Sequence, residues 1–343
     1  MTLRIGVLGL GVGEQHVEAF RSHPDCEVLA VADPDPEKLA MAEQKWPDVA
    51  RHERSEAVID DASIDVICVA SPDDKHYEQI VRALRSGKHV FAEKPLCLSE
   101  EHTRTVWQLL SKSPQLRLSS NMVLRRSPRF RDLRARIEGG EFGSVFMVDA
   151  DYNYGRLWKL TEGWRGDIAD YSVMLGGGVH IVDLVMWLTG SRIAEVHAFG
   201  SDISSRGSRF SGNDVVVATV KFDDGTVGKL ASNFGCVEPH FHRLTVYGTR
   251  ATFENARGAA KLYRSRDPSD QPEELCTPYP AVAKGALIPG FVEAILRNGV
   301  PDVDEAAVFA TMAVCHAIDQ SLAQGTPVRV SYFEAIPERR VHA

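Results

Sequence analysis

The chain has 343 residues, of which 44% are hydrophobic and 25% charged, a composition typical of a globular protein long enough for two domains. Its net charge of −8 argues against nucleic acid and against an anionic membrane as partners. We find no run of about 18 apolar residues that marks a membrane span, no signal peptide and no C-x-x-C pair among the six cysteines, so we expect a reduced, cytoplasmic protein.

The stretch from Arg4 to Asp33 predicts a dinucleotide-binding unit, in which an apolar strand, a glycine turn and an amphipathic helix precede a second strand that ends in an acid. Gly9, Gly11 and Gly13 let backbone N–H groups approach a pyrophosphate, whose charge the helix N-terminus favours. The third glycine falls one position earlier than in the G-x-G-x-x-G pattern. Asp33 is placed to accept hydrogen bonds from the adenosine ribose, and its carboxylate disfavours the 2′-phosphate of NADP, so we predict NAD.

Strands and helices go on alternating through the first third of the chain, which predicts an α/β fold with a doubly wound parallel sheet. Such sheets bind ligands beyond the carboxyl ends of their strands. The strand Asp65–Ala70 ends in Ser71-Pro72, with His76 soon after, and the strand His89–Ala92 ends in Glu93-Lys94-Pro95. We therefore expect these segments to meet the glycine turn at one edge of the sheet.

After about residue 120 the apolar residues alternate, as in Val145–Asn153, which predicts a second, α+β domain with a mainly antiparallel sheet. The segment Asp223–Thr226 predicts a hairpin turn between two of its strands. Two helices, Pro128–Glu138 and Gly176–Leu188, are predicted to interrupt this sheet. Further helices and a short strand, Val328–Val330, are predicted to close the chain.

Local signals refine this plan. Ser55 and Ser99 are predicted to cap the helices that follow them. The segment Ser265–Pro289 holds five prolines and has little periodicity, so we predict a long loop. We place a Rossmann domain at residues 1–121 and a second domain at residues 122–343.

Lys94 is the first candidate for chemistry, because a lysine at a buried strand end is costly unless its ammonium group is paired. One interpretation is a surface lysine in a salt bridge with Glu93. The other is a lysine whose pKa is lowered by desolvation, so that it exchanges a proton with a substrate hydroxyl near neutral pH.

His180 and Asp183 follow a triple glycine, Gly176–Gly178, and share one face of a helix because they are three residues apart. The pair is a candidate acid–base group or substrate ligand, and packing in the core is the alternative. Trp164 is a candidate wall of a substrate pocket, again with packing as the alternative.

His240 and His242 alternate on a strand with Glu238, so that the three side chains face the same way. Two histidines and one acid on a single segment are too few for a metal site. We therefore predict no metal.

The chain resembles the glucose–fructose oxidoreductase / inositol dehydrogenase / MocA (Gfo/Idh/MocA) family over essentially its whole length. The segments that carry the resemblance are the glycine turn, VADPDPEK, CVASPDDKHY, ALRSGKHVFAEKPL, GGGVHIVDLVMWLTG and the closing helical segment. The resemblance implies a nicotinamide-binding domain followed by a domain whose open sheet face forms a homodimer or homotetramer interface. It implies sugar or polyol substrates, in some cases phosphorylated or nucleotide-linked.

The resemblance also implies roles for individual residues. The implied catalytic residues are Lys94 and His180. The cofactor-binding residues predicted from the turn and the resemblance are Gly9, Gly11, Val12, Gly13, Asp33, Ser71, Pro72, His76, Glu93 and Lys94. The predicted substrate-binding residues are Lys94, Asn121, Trp164, His180 and Asp183. The resemblance further suggests a cis Lys94–Pro95 bond.

One position departs from the family pattern, in which many members have an aspartate four residues before the histidine. Here that position is Gly176. The acid then comes from elsewhere, with Asp170 and Asp183 as candidates, or the proton relay has two residues.

These observations predict an oxidoreductase that uses NAD, with NADP less favoured, to transfer hydride between nicotinamide and a sugar or polyol. Lys94 and His180 would relay the hydroxyl proton. Two alternatives stay open. The chain could be an NAD-binding sensor or regulator without chemistry, which the missing acid at 176 favours, or an NAD-assisted glycosidase of the same family.

Overall fold

The computed structural model describes residues 2–169 and 171–333, so the candidate acid Asp170 lies outside the described residues. Strands and helices are numbered in chain order. The strands are β1 (Leu3–Leu8), β2 (Cys26–Ala32), β3 (Ala50–His52), β4 (Val66–Val69), β5 (His89–Ala92), β6 (Leu118–Ser120), β7 (Val145–Asn153), β8 (Ile193–Ser201), β9 (Val215–Phe222), β10 (Val227–Asn233), β11 (Phe241–Gly248), β12 (Thr252–Glu254), β13 (Ala260–Tyr263), β14 (Glu273–Leu275) and β15 (Val328–Arg329). The α-helices are α1 (Gly13–Arg21), α2 (Pro36–Lys45), α3 (Ser55–Ile59), α4 (His76–Arg85), α5 (Glu100–Ser111), α6 (Pro128–Glu138), α7 (Trp158–Thr161), α8 (Val179–Thr189), α9 (Ile288–Leu296) and α10 (Glu305–Gln324).

The described residues form two compact units. Unit 1 contains the chain up to Val123, Ala283–Phe309 and Phe333, and unit 2 contains Leu124–Val282 and Ala310–Tyr332. The first division lies two residues from the predicted boundary at 121.

Residues 283–309 depart from the predicted second domain, 122–343, because they return to unit 1. Helix α9 buries Ile288, Phe291 and Val292 there, and the ring of Phe291 lies 5.6 Å from that of Phe91 on β5. Burial of these side chains stabilises the return by about 2 kcal/mol each. The apolar residues of a helix do not show which sheet the helix covers, so the return of α9 to unit 1 could not be predicted from the sequence.

Unit 1 is built on a six-stranded sheet in the order β3-β2-β1-β4-β5-β6, with every pair parallel. The strand order reverses between β1 and β4, and ligands bind such sheets at that point. The central strands have no exposed surface at Ile5, Val7, Ile67 and Phe91, as expected of strands covered on both faces. The predicted α/β doubly wound fold is confirmed.

Two predicted helix caps have different outcomes. Ser99 caps α5, since its side chain accepts a hydrogen bond from the His102 N–H at 3.2 Å. The prediction for Ser55 is wrong, because Ser55 is already the first residue of α3 and Arg54 stands at the cap position.

Unit 2 is built on a nine-stranded sheet in the order β14-β13-β12-β11-β7-β10-β9-β8-β15. Its pairs are antiparallel except for β7 with β10, so the predicted mainly antiparallel sheet is confirmed. The hairpin between β9 and β10 turns at Gly225, whose φ is +92°. The predicted loop Ser265–Pro289 contains β14, a three-residue edge strand that pairs with β13.

One face of this second sheet is covered and the other is open. Val216, Ala218 and Val220 on β9 are buried, whereas Val217 between them is exposed. Val217 pairs with Phe199 on β8, which is 64% exposed. The open face therefore presents apolar side chains to solvent.

The predicted helix Gly176–Leu188 has an irregular start. Residues Met174–Gly178 form one π-helical turn, and α8 continues from it to Thr189. Gly190 then ends α8 in the left-handed conformation, with a φ of +71°. Such π-turns are frequent at functional sites.

Helix α10 differs from the expectation that no segment could span a membrane. By length and composition alone it could cross one, but 61% of its most apolar window is buried inside the protein. That degree of burial is typical of a core helix.

Candidate active site

The glycine turn joins β1 to α1 at the carboxyl edge of the sheet in unit 1. Gly9 has a φ of +86°, and a Cβ there would lie 2.5 Å from the Ala70 carbonyl oxygen, so only glycine fits. A Cβ on Gly11 would meet none of the described atoms within 4 Å, so the turn is open on that side. Helix α1 begins at Gly13 without a side-chain cap from the preceding Val12. The turn therefore offers backbone N–H groups and room for a pyrophosphate.

Asp33 lies at the end of β2 and is 3% exposed. Its carboxylate accepts hydrogen bonds from the backbone N–H groups of Leu10, at 2.7 Å, and Asp35, at 2.9 Å. Lys38 Nζ lies 3.2 Å from the same carboxylate. The acid thus fixes the glycine turn from the position at which we predicted the adenosine ribose to bind.

Glu93, at the end of β5, is the centre of a polar network. Its Oε1 lies 2.9 Å from Nε2 of the fully buried His16 and accepts a hydrogen bond from Asn121 Nδ2 at 2.7 Å. Burial alone would raise the pKa of Glu93, but the hydrogen bond and charge of His16, the Lys94 ammonium and the Asn121 amide lower it to about 2. A carboxylate that stays ionised therefore stands beside the half-buried Lys94, whose bond to Pro95 is cis, as the resemblance suggested.

His76 is fully buried between two loops of the cofactor edge. Its Nδ1 lies 2.7 Å from the carbonyl oxygen of Pro95, and its Nε2 lies 3.0 Å from that of Ser71. A neutral imidazole donates to only one of these carbonyls. The ring links the loops that follow β4 and β5, so it holds together two walls of the predicted cofactor cleft. Direct contact of His76 with the cofactor stays a prediction.

Unit 2 gathers aromatic and histidine rings around His180, which is 6% exposed on α8. The ring of Tyr152 stacks at 5.9 Å from His180, and that of His242 lies at 6.3 Å, nearly perpendicular. The ring centroids of His240 and His242 lie 4.7 Å apart, so the two side chains lie on the same face of the strand, as predicted. Within the described ranges no group of three or more metal-binding side chains has the geometry to hold an ion.

His242 is linked to Tyr279. The Tyr279 hydroxyl accepts a hydrogen bond from the His242 backbone N–H at 2.9 Å and lies 2.6 Å from the ring Nδ1. Burial raises the pKa of Tyr279 to about 12, which favours the protonated phenol. The two contacts hold the imidazole in place.

Asp183 on α8 is held by an arginine. Its carboxylate is 1% exposed and forms a bidentate ion pair with Arg125, at 2.9 Å from Nε and 2.6 Å from Nη2. Thr311 Oγ1 lies 3.4 Å from the same group. The ion pair fixes the orientation of the carboxylate. That Asp183 orients His180 or a substrate hydroxyl stays a prediction.

Trp164 is half-buried in a short 3₁₀ turn, Trp164–Asp167. The guanidinium of Arg165 lies over its ring at 4.1 Å, and the ring of Tyr171 meets it edge-on at 6.5 Å. Its predicted contact with substrate stays a prediction.

The structure brings the predicted residues of unit 1 together at the strand ends, and the sequence analysis missed His16. A signal was present: His16 lies between Gly13 and Phe20 on the apolar face of α1, at helical spacing. A polar residue on such a face needs a buried partner.

Two family models match the chain. The one described as an oxidoreductase family with an NAD-binding Rossmann fold matches residues 3–121, and the one described as the GFO/IDH/MocA C-terminal domain matches residues 130–254.

Curated relatives and solved structures agree with these matches. Inositol 2-dehydrogenase 2 of Saccharopolyspora erythraea is 28% identical over 200 residues, which are 58% of this chain and 57% of that protein, so the alignment spans little more than half its length. Myo-inositol 2-dehydrogenase of Thermotoga maritima is 25% identical over 72% of this chain and 73% of its own. A structure of levoglucosan dehydrogenase with NADH and L-sorbose has a TM-score of 0.84 at 21% identity, covers 96% of this chain and 99% of its own, and shows the likeness in fold.

Proposed function

The chain belongs to the Gfo/Idh/MocA family of oxidoreductases, with an NAD-binding Rossmann fold at residues 3–121, and from that premise we propose that it oxidises a hydroxyl group of a sugar or polyol. The observation that carries the proposal is the position of Glu93 next to Lys94 at the carboxyl end of β5. A carboxylate that stays ionised beside a half-buried lysine stabilises the ammonium group that forms when the amine takes the proton of an alcohol.

Unit 1 fits NAD. The glycine turn is open at Gly11, where we propose that the pyrophosphate binds, and Asp33 lies at the end of β2, where we propose that the ribose binds. Bound NAD would supply the acceptor for the hydride that leaves the substrate carbon. The chain supplies orientation: Asp33 fixes the turn, and the Glu93 network fixes the loop that carries Lys94.

Proton transfer is assigned to Lys94 and His180. Lys94 takes the substrate hydroxyl proton in its neutral amine form as the carbinol carbon is oxidised. The ammonium group so formed is stabilised by the ionised Glu93 carboxylate, and His180 completes the relay. The named relatives favour polyols as substrates, since the Saccharopolyspora erythraea and Thermotoga maritima proteins carry inositol dehydrogenase names. The identity of the sugar or polyol, and whether the enzyme oxidises the alcohol or reduces the carbonyl compound, are determined by the activity assay below.

The test is Lys94→Ala in the full chain, assayed with a panel of sugars and polyols by the absorbance of the reduced cofactor. We expect turnover to fall about 10²- to 10⁴-fold while NADH binding, measured by fluorescence, stays unchanged. Lys75→Ala is the matched control, because Lys75 is an exposed lysine in unit 1 whose ammonium group pairs with its neighbour Asp74. Full activity of Lys94→Ala would exclude Lys94 from the chemistry.

The same panel separates the alternatives. NADH binding without turnover of any sugar would favour a sensor, a possibility that Gly176 supports because the position lacks an acid. Cleavage of a glycoside without net change in NADH would favour the NAD-assisted glycosidase.

We also propose that the open face of the second sheet joins copies of this chain into a homodimer or homotetramer. Phe199, Val217 and Val227 give that face exposed apolar side chains that a second copy of the chain would cover. Lys229 lies among them and is paired at 2.7 Å with Asp149 and with Asp151, so its charge is compensated before any partner arrives.

A further inference from the structure

Position 176, where the sequence departs from its family, is filled by the side chain of another residue. Gly176 is buried in the π-helical turn Met174–Gly178. A Cβ built on it would overlap Oη of Tyr171 and lie 2.7 Å from Cζ, closer than real Cβ atoms approach any neighbour. The end of the Tyr171 phenol therefore occupies the volume that a side chain at position 176 would take.

The phenol is held in that volume by Arg165. The Arg165 Nε donates a hydrogen bond to Tyr171 Oη at 2.8 Å, and Tyr171 is 3% exposed. A guanidinium has donors only, so the phenol oxygen is the acceptor of this bond, and the bond fixes the position of the hydroxyl group.

The backbone around Tyr171 is fixed as well. Ser172 Oγ accepts the N–H of Leu175 at 3.2 Å and donates to Asp319 Oδ1 at 2.7 Å. The N–H of Gly176 donates to the carbonyl oxygen of Ser172 at 2.9 Å. Ser172, next to Tyr171, is therefore bonded both within the turn and to α10.

This turn leads directly to His180. Gly176 lies four residues, about one turn, before His180, and helical side chains point towards the N-terminus. The Tyr171 hydroxyl consequently lies along the turn that sets the position of the imidazole.

We propose that Tyr171, oriented by Arg165, is the positioning residue for His180 and stands in for the acid that position 176 lacks. It places a hydroxyl group in the volume that an acidic side chain at position 176 would take, and it excludes any side chain from that position. The proposal rests on the proposed function, because the imidazole that it positions is the one assigned to the proton relay.

The first experiment uses Tyr171→Phe, which keeps the ring and removes the hydroxyl. We expect kcat to fall about 10- to 100-fold with little change in KM for the sugar, in NADH affinity or in melting temperature. Tyr263→Phe is the matched control, since it removes a hydroxyl that donates to Glu254 at an edge of the sheet and should leave kcat unchanged. Wild-type kcat in Tyr171→Phe would overturn the proposal.

The second experiment exchanges the two positions. Gly176→Asp alone should destabilise the protein, because the new side chain meets the phenol. In Tyr171→Ala/Gly176→Asp the acid has room, and we expect kcat to rise about 10-fold above that of Tyr171→Ala. No recovery in the double variant would contradict the assigned role.

A double-mutant cycle measured by urea unfolding tests whether Tyr171 occupies the volume at position 176, and it needs no activity assay. Gly176→Ala should lower the free energy of unfolding in the wild type but not in the Tyr171→Ala background. If the two substitutions had additive effects on that free energy, the conclusion that Tyr171 occupies the volume of a side chain at position 176 would be wrong. If the wild type turned over no sugar while the cycle showed coupling, the proposed function would fail and the occupancy of position 176 would stand. An active wild type with an unaffected Tyr171→Phe would reject only the inference.

Discussion

Nε2 of His16 lies 2.9 Å from Oε1 of Glu93, and this contact joins the helix after the glycine turn to the end of β5. Asn121, just beyond β6, donates to the same oxygen at 2.7 Å. Three segments of the cofactor edge, far apart along the chain, are therefore cross-linked through one ionised carboxylate. Rigid support of this kind holds catalytic groups in a productive geometry.

Replacing His16 by alanine should lower the free energy of unfolding and change how it depends on pH in the acid range. The folded-state pKa of Glu93, about 2, lies below its ordinary value of 4.5, so its contribution is present above pH 4.5 and is lost as pH falls towards 2. Without His16 the pKa rises, and we expect a loss of about 1–3 kcal/mol at neutral pH and acid unfolding at a higher pH. Urea unfolding across pH measures this. His16→Gln, which keeps a donor, should retain most of the stability, and equal loss in both variants would contradict the assignment.

Asp33→Ala should reduce the preference for NAD over NADP. The variant loses a charged acceptor for the ribose hydroxyls, worth about 1.5–3 kcal/mol, while Lys38, now 3.2 Å from the carboxylate, remains to meet a 2′-phosphate. Fluorescence titrations with NADH and NADPH give both affinities. Asp33→Ala/Lys38→Ala should lose the gain for NADPH, and an unchanged NADH affinity in Asp33→Ala would argue against ribose binding there.

Asp319→Asn should change how stability depends on pH. Burial raises the pKa of Asp319 to about 7, although the Ser172 hydroxyl lowers it. A raised carboxyl pKa means that folding is most favoured below the ordinary value of 3.8 and loses stability as pH rises to 7. We expect the asparagine variant, which still accepts from Ser172, to be more stable than wild type above pH 7 and similar below 3.8. Thermal unfolding across pH measures this, and parallel curves would contradict it.

Val217→Lys should dissociate the oligomer proposed for the open sheet face. Burying an unpaired ammonium in an interface costs several kcal/mol, so the chain should sediment as a monomer of 37.8 kDa. Val237→Lys is the control, because Val237 is an exposed valine outside the strands. A monomeric wild type, or an oligomeric Val217→Lys, would exclude this face as the interface.

Long strands were predictable from the sequence, and so was the short edge strand β15, predicted as Val328–Val330, but β12 and β14 were not. The predicted strand Val145–Asn153 coincides with β7, whose nine residues are enough to display a period. Strands β12 and β14 have three residues each, too few to display a period. Their place comes from pairing with neighbours along the sheet edge.

The site shows the same division. Glu93 and Asp33 were predictable because parallel topology dictates that strand ends meet at one edge. Asp183 was assigned to His180 from helical spacing, yet Arg125, distant along the chain, holds its carboxylate. The phenol of Tyr171 in the volume of position 176 depends on a turn geometry that no local pattern encodes.

The return of α9 to the dinucleotide-binding unit sets the order in which this polypeptide matures on the ribosome. Asn121 donates a hydrogen bond to the carbonyl oxygen of Lys284 at 2.9 Å, and the Leu118 N–H donates one to Glu305 Oε1 at 3.1 Å. The segment around β6 therefore bonds to residues that are synthesised more than 160 residues later. Domains commonly fold in turn from the N-terminus as they emerge. The unit whose synthesis begins first is therefore completed only after Lys284 and Glu305 have been made.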